Sequence, residues 1–385
     1  MVSNQDVKVQ LVNKPGSPRT GIGRYAVEIE RGLSASGVTL RRAELRNPLP
    51  RLMTSAIGRL GYDVTAFTRS YPFRADTQPG YVTHLTSQTL ATLLLVQRLP
   101  RPVVVTVHDI LPYVLRNDDE LGVYRHRADR FMDSLAMRGL KRADRLISDS
   151  AYTKQCLVDT LAIPADKIDV IHLGVDTEAF RPSHPSAEFM KRHGLSGDRR
   201  YLLFAGSEDP RKDLPTLLHA LAIIRHVAPD VELIKVGAPA FEEQRRRHID
   251  LCVDMGISGV VHWIDEVTEA DLPIFYNVAS VFTFPSRFEG FGFPVLEALA
   301  CGTPVVAVNA SSVPELVSGV AKLVPASDPA QFARAILETL DAEPVDRKTL
   351  RRHAELFTWD KTIAALHATY ERASRTATSG QSIAC

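Results

Sequence analysis

The residues best suited to chemistry lie between Ser286 and Glu297, reading Ser-Arg-Phe-Glu-Gly-Phe-Gly-Phe-Pro-Val-Leu-Glu. Glu289 and Glu297 stand eight positions apart, with Gly290, Phe291, Gly292, Phe293 and Pro294 between them. An apolar run, Val281–Phe284, comes just before. Pro294 suits the first turn of a helix, where its missing N–H would be unbonded anyway. Gly290 and Gly292 let the backbone approach a ligand closely. The free N–H groups of a helix start then favour an anion, naturally a phosphate. Carboxylates beside a phosphate are electrostatically misplaced unless they accept from hydroxyls, and an anion site with two hydroxyl acceptors is what a sugar nucleotide requires. A bare pair of glutamates at this spacing reads first as a solvated turn. The long flanking pattern favours a site, running through Ala298–Ala307 to Ser311, Ser312, Pro314 and Glu315.

Three other constellations stand out. Gly206-Ser207-Glu208-Asp209-Pro210-Arg211-Lys212-Asp213 follows the apolar run Tyr201–Ala205. Its adjacent cations can bracket a diphosphate, Arg211 as a planar fork and Lys212 as a point charge. Loops at the carboxyl ends of sheet strands form the ligand crevice of such folds. Next, Gly21, Gly23 and Arg24 lie in Thr20-Gly21-Ile22-Gly23-Arg24-Tyr25-Ala26, which fits the loose dinucleotide pattern G-x-G-x-x-G/A. That keeps a nicotinamide-dependent dehydrogenase as a competitor. It is weakened because Gly21 comes ten residues after the strand expected at Val7–Leu11, with the unusual insertion Lys14-Pro15-Gly16-Ser17-Pro18-Arg19 between. Finally, His108 ends the apolar run Val103–Val107 and is followed by Asp109. A histidine there is either a satisfied structural group or a strand-end site residue. His84 ends Tyr81–Leu85 in the same manner and is a weaker candidate for lining an acceptor site. The acidic loop Asn117–Glu120 lacks ligand spacing, and no D-x-D motif follows a strand, so no metal is expected.

The elements that must position these residues are β-strands alternating with helices, the sign of parallel sheets. Strands are expected at Val7–Leu11, Tyr81–Leu85, Val103–Val107, Arg145–Ser148 and Asp169–His172. Helices are expected at Gly23–Ser34, Thr86–Arg98, Tyr124–Gly139 and Ala151–Thr160. The pattern restarts after Arg181-Pro182-Ser183-His184-Pro185, a plausible hinge. The second series has strands at Tyr201–Ala205, Glu232–Val236, Val260–Ile264, Val281–Phe284, Pro304–Val308 and Lys322–Val324, again separated by helices. A last helix is expected at Trp359–Ala373, followed by a small, polar tail.

The 385 residues, 45% hydrophobic and 24% charged, suit two globular domains and exclude a disordered chain. A net charge of +1 gives no reason to expect nucleic acid. The charge is uneven: residues 1–180 hold 24 Lys+Arg against 19 Asp+Glu, and the remainder 22 against 26. That asymmetry is ordinary scatter or the mark of an anionic partner. Tyr124–Arg145 is rich in arginine with Phe131, Met132, Leu135 and Met137 between. It reads as a scaffold helix first and as a basic membrane-lying helix second. Four scattered cysteines fit reduced thiols. No signal-peptide core and no apolar run of roughly 20 residues is present, so a cytoplasmic location is expected.

The run from Ser286 to Glu315 resembles the donor-site signature of glycosyltransferase family 4, retaining enzymes of the GT-B fold. Ile171–Asp176 resembles that family's connector, and Phe357–Asp360 with Tyr370 its last helix. The resemblance implies an α/β fold: two Rossmann-like doubly wound domains facing across a cleft, with the last helix crossing back to the first. The expected boundaries are 1–180 (acceptor side), 181–356 (donor side), 357–375 (crossing helix) and 376–385 (flexible tail). It also implies a metal-independent hexosyltransferase that uses a nucleoside-diphosphate sugar as co-substrate and needs no cofactor. Glu297 would take ribose hydroxyls and Glu289 hexose hydroxyls. Gly206, Ser207, Arg211, Lys212 and the backbone of Gly290, Phe291, Gly292 and Phe293 would cradle the diphosphate. Many members have arginine where this chain has Ser207, and Arg211 is expected to supply that charge. His108 would contact the transferred sugar, and Gly21, Gly23 and Arg24 would form a phosphate and acceptor loop. The Glu-Asp-Pro-Arg-Lys loop is similar to that of mannosyltransferases building bacterial surface polysaccharides. GDP-mannose is therefore favoured, with UDP-sugars behind it. The acceptor would be a saccharide or lipid-linked saccharide, met in the cytoplasm or at the inner face of an anionic membrane. A GT-B nucleotide-sugar epimerase and a catalytically silent sugar-nucleotide-binding protein are the alternatives.

Overall fold

The computed structural model describes residues 7–14, 20–46, 70–122, 124, 127–239, 241–343 and 346–381. Pro15–Arg19, Arg125 and residues 47–69, within the region expected to read acceptors, lie outside the described residues. The chain forms two compact units. One comprises Met1–Gly174 with Trp359–Cys385, and the other Val175–Thr358.

The first unit is built on β1 (Lys8–Val12), β2 (Thr39–Arg42), β3 (Leu45–Arg46), β4 (Arg74–Ala75), β5 (Val82–Leu85), β6 (Val103–Val107), β7 (Arg145–Ser148) and β8 (Ile168–Val170). Six of these form a parallel sheet ordered β2-β1-β5-β6-β7-β8, while β3 and β4 pair antiparallel. Every residue of β6 is buried, as both-face coverage of a parallel sheet requires. Each large apolar side chain so enclosed contributes roughly 1.5–3 kcal/mol. Helix α1 (Gly21–Ala35) begins at Thr20, whose Oγ1 accepts from the Gly23 N–H at 3.1 Å. Helix α2 (Arg127–Leu140) buries Met132, Ala136, Met137 and Leu140.

Three features differ from expectation here. The edge strand β2 was not expected. Its sequence, Thr-Leu-Arg-Arg, is partly exposed and carries no apolar run. The expected helix at Thr86–Arg98 is a 3₁₀ segment, Gln88–Thr92, followed by one turn at Leu93–Val96. Gly21, expected in a loop ahead of a helix starting at Gly23, lies with Gly23 in the first turn of α1, because Thr20 caps the helix there.

The second unit contains β9 (Arg200–Ala205), β10 (Val231–Val236), β11 (Val261–Ile264), β12 (Val281–Phe284), β13 (Val305–Val308) and β14 (Lys322–Val324). They form a parallel sheet ordered β11-β10-β9-β12-β13-β14. Numbered within the unit this is 3-2-1-4-5-6, the dinucleotide-fold order, which reverses direction between its first and fourth strands. Helices α3 (Leu214–Arg225), α4 (Glu242–Asp254) and α5 (Phe293–Ala300) follow β9, β10 and β12. The core joins Leu202, Phe204, Leu217, Leu221, Val281 and Phe332. The last helix, α6 (Trp359–Gln381), packs in the first unit through Ile363, Leu366 and Tyr370 and runs past residue 375.

Candidate functional site

The loops after β9 and β12 leave the carboxyl ends of the two strands between which the sheet order reverses, where such sheets bind ligands. They are joined by backbone: the Arg287 N–H donates to the Arg211 carbonyl at 2.8 Å. Across this joint Lys212 Nζ lies 3.1 Å from Glu289 Oε1, and Ser286 Oγ donates to the same oxygen at 2.7 Å. The Lys212 ammonium also lies 5.6 Å from the centre of the Phe284 ring. The main chain of Glu289 is fixed as well. Its N–H donates to Ser311 Oγ at 3.0 Å, and Ser312 Oγ sits 3.0 Å from the Glu289 carbonyl and 2.6 Å from that of Phe291.

Glycine is required at two of the expected positions. Gly206 has φ +150°, and a Cβ there would lie 3.1 Å from Lys212 Nζ, because the lysine folds across it. Gly292, the N-cap of α5, has φ +120° and supplies no side-chain cap. Phe291 and Phe293 flank it with rings edge to face at 5.3 Å. Glu297 lies one turn into α5, only 3% exposed, and accepts from the Tyr276 hydroxyl at 2.7 Å. Arg211 turns to Asp209, with Nε 3.0 Å from Oδ1 and Nη2 3.3 Å from Oδ2. Ser207 is partly buried between Gly206 and Glu208.

Beneath this loop is a charge cluster that sequence reasoning missed. Glu208 Oε1 meets Lys235 Nζ at 2.6 Å and Arg245 Nη2 at 2.6 Å, and Oε2 meets His248 Nδ1 at 3.1 Å. Arg245 also pairs with Asp265 at 2.6 Å and lies over the Trp263 ring at 4.5 Å. Burial alone would raise the Glu208 carboxyl, but hydrogen bonds from His248, Arg245 and Lys235 hold it down to about 2. Burial lowers the Lys235 ammonium, and Glu208 opposes that. The signal available was Lys235, a charge in the strand Val-Glu-Leu-Ile-Lys-Val on a sheet covered on both faces; the strand's other charge, Glu232, is only partly buried.

In the first unit, His108 follows β6 as expected, but its partner is Asp149 after β7, not the adjacent Asp109. Nδ1 lies 2.6 Å from Asp149 Oδ2, and Asp109 Oδ1 instead accepts from the Leu111 N–H. Asp149 comes beside His108 because parallel neighbours β6 and β7 end in register, Val107 beside Ser148. Tyr25 of α1 meets the His108 ring edge-on at 4.9 Å. Arg24, in the same turn as Gly21 and Gly23, donates its backbone N–H to Thr20. His84 lines no open surface. It is 0% exposed, with Nδ1 against the Tyr370 hydroxyl and Nε2 against Thr106 Oγ1, both at 2.8 Å.

Residues 19–179 match the family model described as Glycosyltransferase Family 4, and residues 199–342 the model described as Glycosyl transferases group 1. The chain is 36% identical over 248 residues to a D-inositol 3-phosphate glycosyltransferase of Streptomyces bingchenggensis, covering 60% of this chain and 54% of that protein. A protein of the same name from Mycolicibacterium smegmatis is 35% identical over 236 residues, with 60% and 53% covered. The chain thus spans about half the length of the curated relatives it matches. Among solved structures, sucrose-phosphate synthase from Thermosynechococcus elongatus aligns with a TM-score of 0.72 at 22% identity, covering 95% of this chain and 98% of that one. Anabaena HepE in complex with UDP and glucose aligns at 0.69 and 17% identity, covering 95% and 99%. At these identities the likeness is one of fold, the GT-B architecture of two Rossmann-like domains.

Proposed function

The chain belongs to glycosyltransferase family 4, and from that premise we propose that it transfers a hexose from a nucleoside-diphosphate sugar to a hydroxyl, with retention of anomeric configuration. The observation that carries this reading is the Lys212–Glu289 pair, set at the sheet's reversal point beside the start of α5. Lys212 and Arg211, with the backbone N–H groups of Phe291–Phe293, hold the diphosphate in this reading. Glu289 accepts from hexose hydroxyls and Glu297 from the ribose. Gly21, Gly23, Arg24 and His108 serve the reaction from the first unit.

Transfer breaks the bond from the sugar's anomeric carbon to the leaving phosphate oxygen and forms one to the acceptor oxygen on the same face. The acceptor's proton passes to the departing diphosphate. Positive charge develops on the sugar and negative charge on the phosphate, so preorganised cations at the phosphate help the transition state most. Those cations are protein groups, and no metal is assigned. Mannose carried by GDP is the favoured donor, from the form of the Glu208–Lys212 loop; the HepE complexes with UDP and UDP-glucose favour a UDP-sugar as the second choice. The acceptor is a saccharide or lipid-linked saccharide. A phosphorylated cyclitol is a second acceptor class, suggested by the relatives' name. Phe131 on α2 is 62% exposed beside exposed Arg127, Arg130 and Arg138, which supports a peripheral contact with anionic lipid.

The test is to incubate the full chain with GDP-mannose and UDP-hexoses plus candidate acceptors and follow product by NMR. Retained anomeric configuration with acceptor-dependent release of nucleoside diphosphate supports the reading. An inverted product removes the retaining assignment, and donor consumed without acceptor points to an epimerase.

A further inference from the structure

We propose that His108 is a fixed imidazolium cation, locked between the Asp149 carboxylate and the Thr86 carbonyl, and that it serves by its charge and not as a proton shuttle. Nδ1 lies 2.6 Å from Asp149 Oδ2, and Nε2 lies 3.0 Å from the Thr86 carbonyl oxygen. A carboxylate and a carbonyl accept only, whereas neutral imidazole carries a single N–H. Both contacts are satisfied together only when both nitrogens carry hydrogen. The second carboxylate oxygen, Asp149 Oδ1, is buried with no hydrogen-bond partner among the described residues, and His108 is the side chain that hydrogen-bonds this carboxylate.

His84, on the neighbouring strand, makes the contrast. Its two nitrogens meet hydroxyls, those of Tyr370 and Thr106, and Thr106 Oγ1 continues to the Tyr25 hydroxyl at 2.7 Å. Hydroxyls can donate or accept, so this chain is complete with His84 neutral. The surroundings agree. Burial, then the nearby His108 charge, push His84 down to about 3. Burial works against charge on His108 too, but Asp149, the Thr86 carbonyl and Asp109 outweigh it and raise the ring. Burial also raises the Tyr25 and Tyr370 phenols, leaving both neutral. Of the groups facing this ring, Asp149 is its direct ionic partner, with Asp109 adding a weaker attraction.

The functional consequence rests on the proposed glycosyl transfer; the charge itself does not. A ring with both N–H groups committed cannot abstract the acceptor's proton. Its positive charge persists through turnover.

The experiment is ¹⁵N NMR of the full chain labelled at histidine, with the His108 signals assigned by their loss in His108→Gln. The expected result is the shift pair of a doubly protonated ring, unchanged from about pH 6 to pH 8, with His84 neutral throughout. In Asp149→Asn, His108 should lose a proton within that range. A neutral His108 tautomer at pH 7, including one beside a protonated Asp149, overturns the proposal, as does titration of the wild-type ring in that range. Should Asp149→Asn fail to fold, the wild-type spectrum decides alone. Donor binding is read separately. A fixed imidazolium without donor binding would sink the proposed function only, and donor binding with a titrating ring would sink this inference only.

Discussion

Lys212 Nζ and Glu289 Oε1 meet at 3.1 Å although 77 residues separate them, and each side chain keeps under one fifth of its surface exposed. The contact joins the two loops that the strand order places at the ligand crevice. A lysine aimed at a phosphate and a carboxylate aimed at sugar hydroxyls would each need to be held before the donor arrives. Their mutual attraction does this.

Lys212→Ala and Glu289→Ala should each reduce kcat/KM by roughly 10²–10³-fold, the scale of losing one preorganised electrostatic group. The double variant should fall short of the product of the two, because the residues touch. Thermal stability should shift by no more than about 1 kcal/mol, as for other partly exposed pairs. Initial rates of nucleoside diphosphate release, with melting curves alongside, check both statements.

Gly292→Val should abolish donor binding while the chain remains folded. Gly292 holds φ +120°, which a β-branched residue resists, and a Cβ there would lie 3.1 Å from Leu316 Cδ1. The first turn of α5 would have to move. Calorimetric titration with donor, beside a circular dichroism spectrum, reads the two effects separately.

Acid should weaken the second unit through Glu208. Its folded value, about 2, lies below the unfolded value of roughly 4.3. The stabilisation is therefore full above the unfolded value and is lost as pH falls from about 5 towards 2. Glu208→Gln should remove most of that acid sensitivity. At neutral pH it should cost roughly 3–5 kcal/mol, the scale of breaking a buried ion pair from one side. Denaturant unfolding of both proteins across that pH range measures the difference.

Activity should survive excess EDTA, since protein cations are assigned the leaving diphosphate. A loss restored by added Mg²⁺ or Mn²⁺ would remove that assignment.

Vesicles containing anionic lipid should retain the protein, and neutral vesicles should not. Phe131→Ser combined with Arg130→Glu should reduce sedimentation with the anionic vesicles, and higher salt should do the same. Equal sedimentation of wild type and variant would reject lipid contact through this face.

The sheets were legible because strands buried on both faces leave nearly continuous apolar runs; Val103–Val107 and Val281–Phe284 fall where the pattern places them. The loops that follow those runs were legible for the same reason, since a parallel sheet delivers its chemistry at strand ends. Strand β2 was not legible because an exposed edge needs no apolar pattern, and Thr39–Arg42 has none. The Glu208 cluster draws on residues from position 208 to position 265 that only the fold brings together, with Lys235 the one sequence sign of it. Asp149 was not legible because it lies 41 positions from His108 in the sequence. Strand register, which only the fold supplies, brings position 149 beside position 108.

The central claim is that the two loops at the reversal of the second sheet bind a nucleoside diphosphate. A thermal-shift panel of GDP, UDP, ADP and their sugars on the full chain tests it most directly. At one hundred times its Kd, the right nucleotide should add about 2.7 kcal/mol of stability, and Lys212→Ala should lose most of that gain. No shift with any member of the panel at millimolar concentration, or an equal shift in Lys212→Ala, would contradict it.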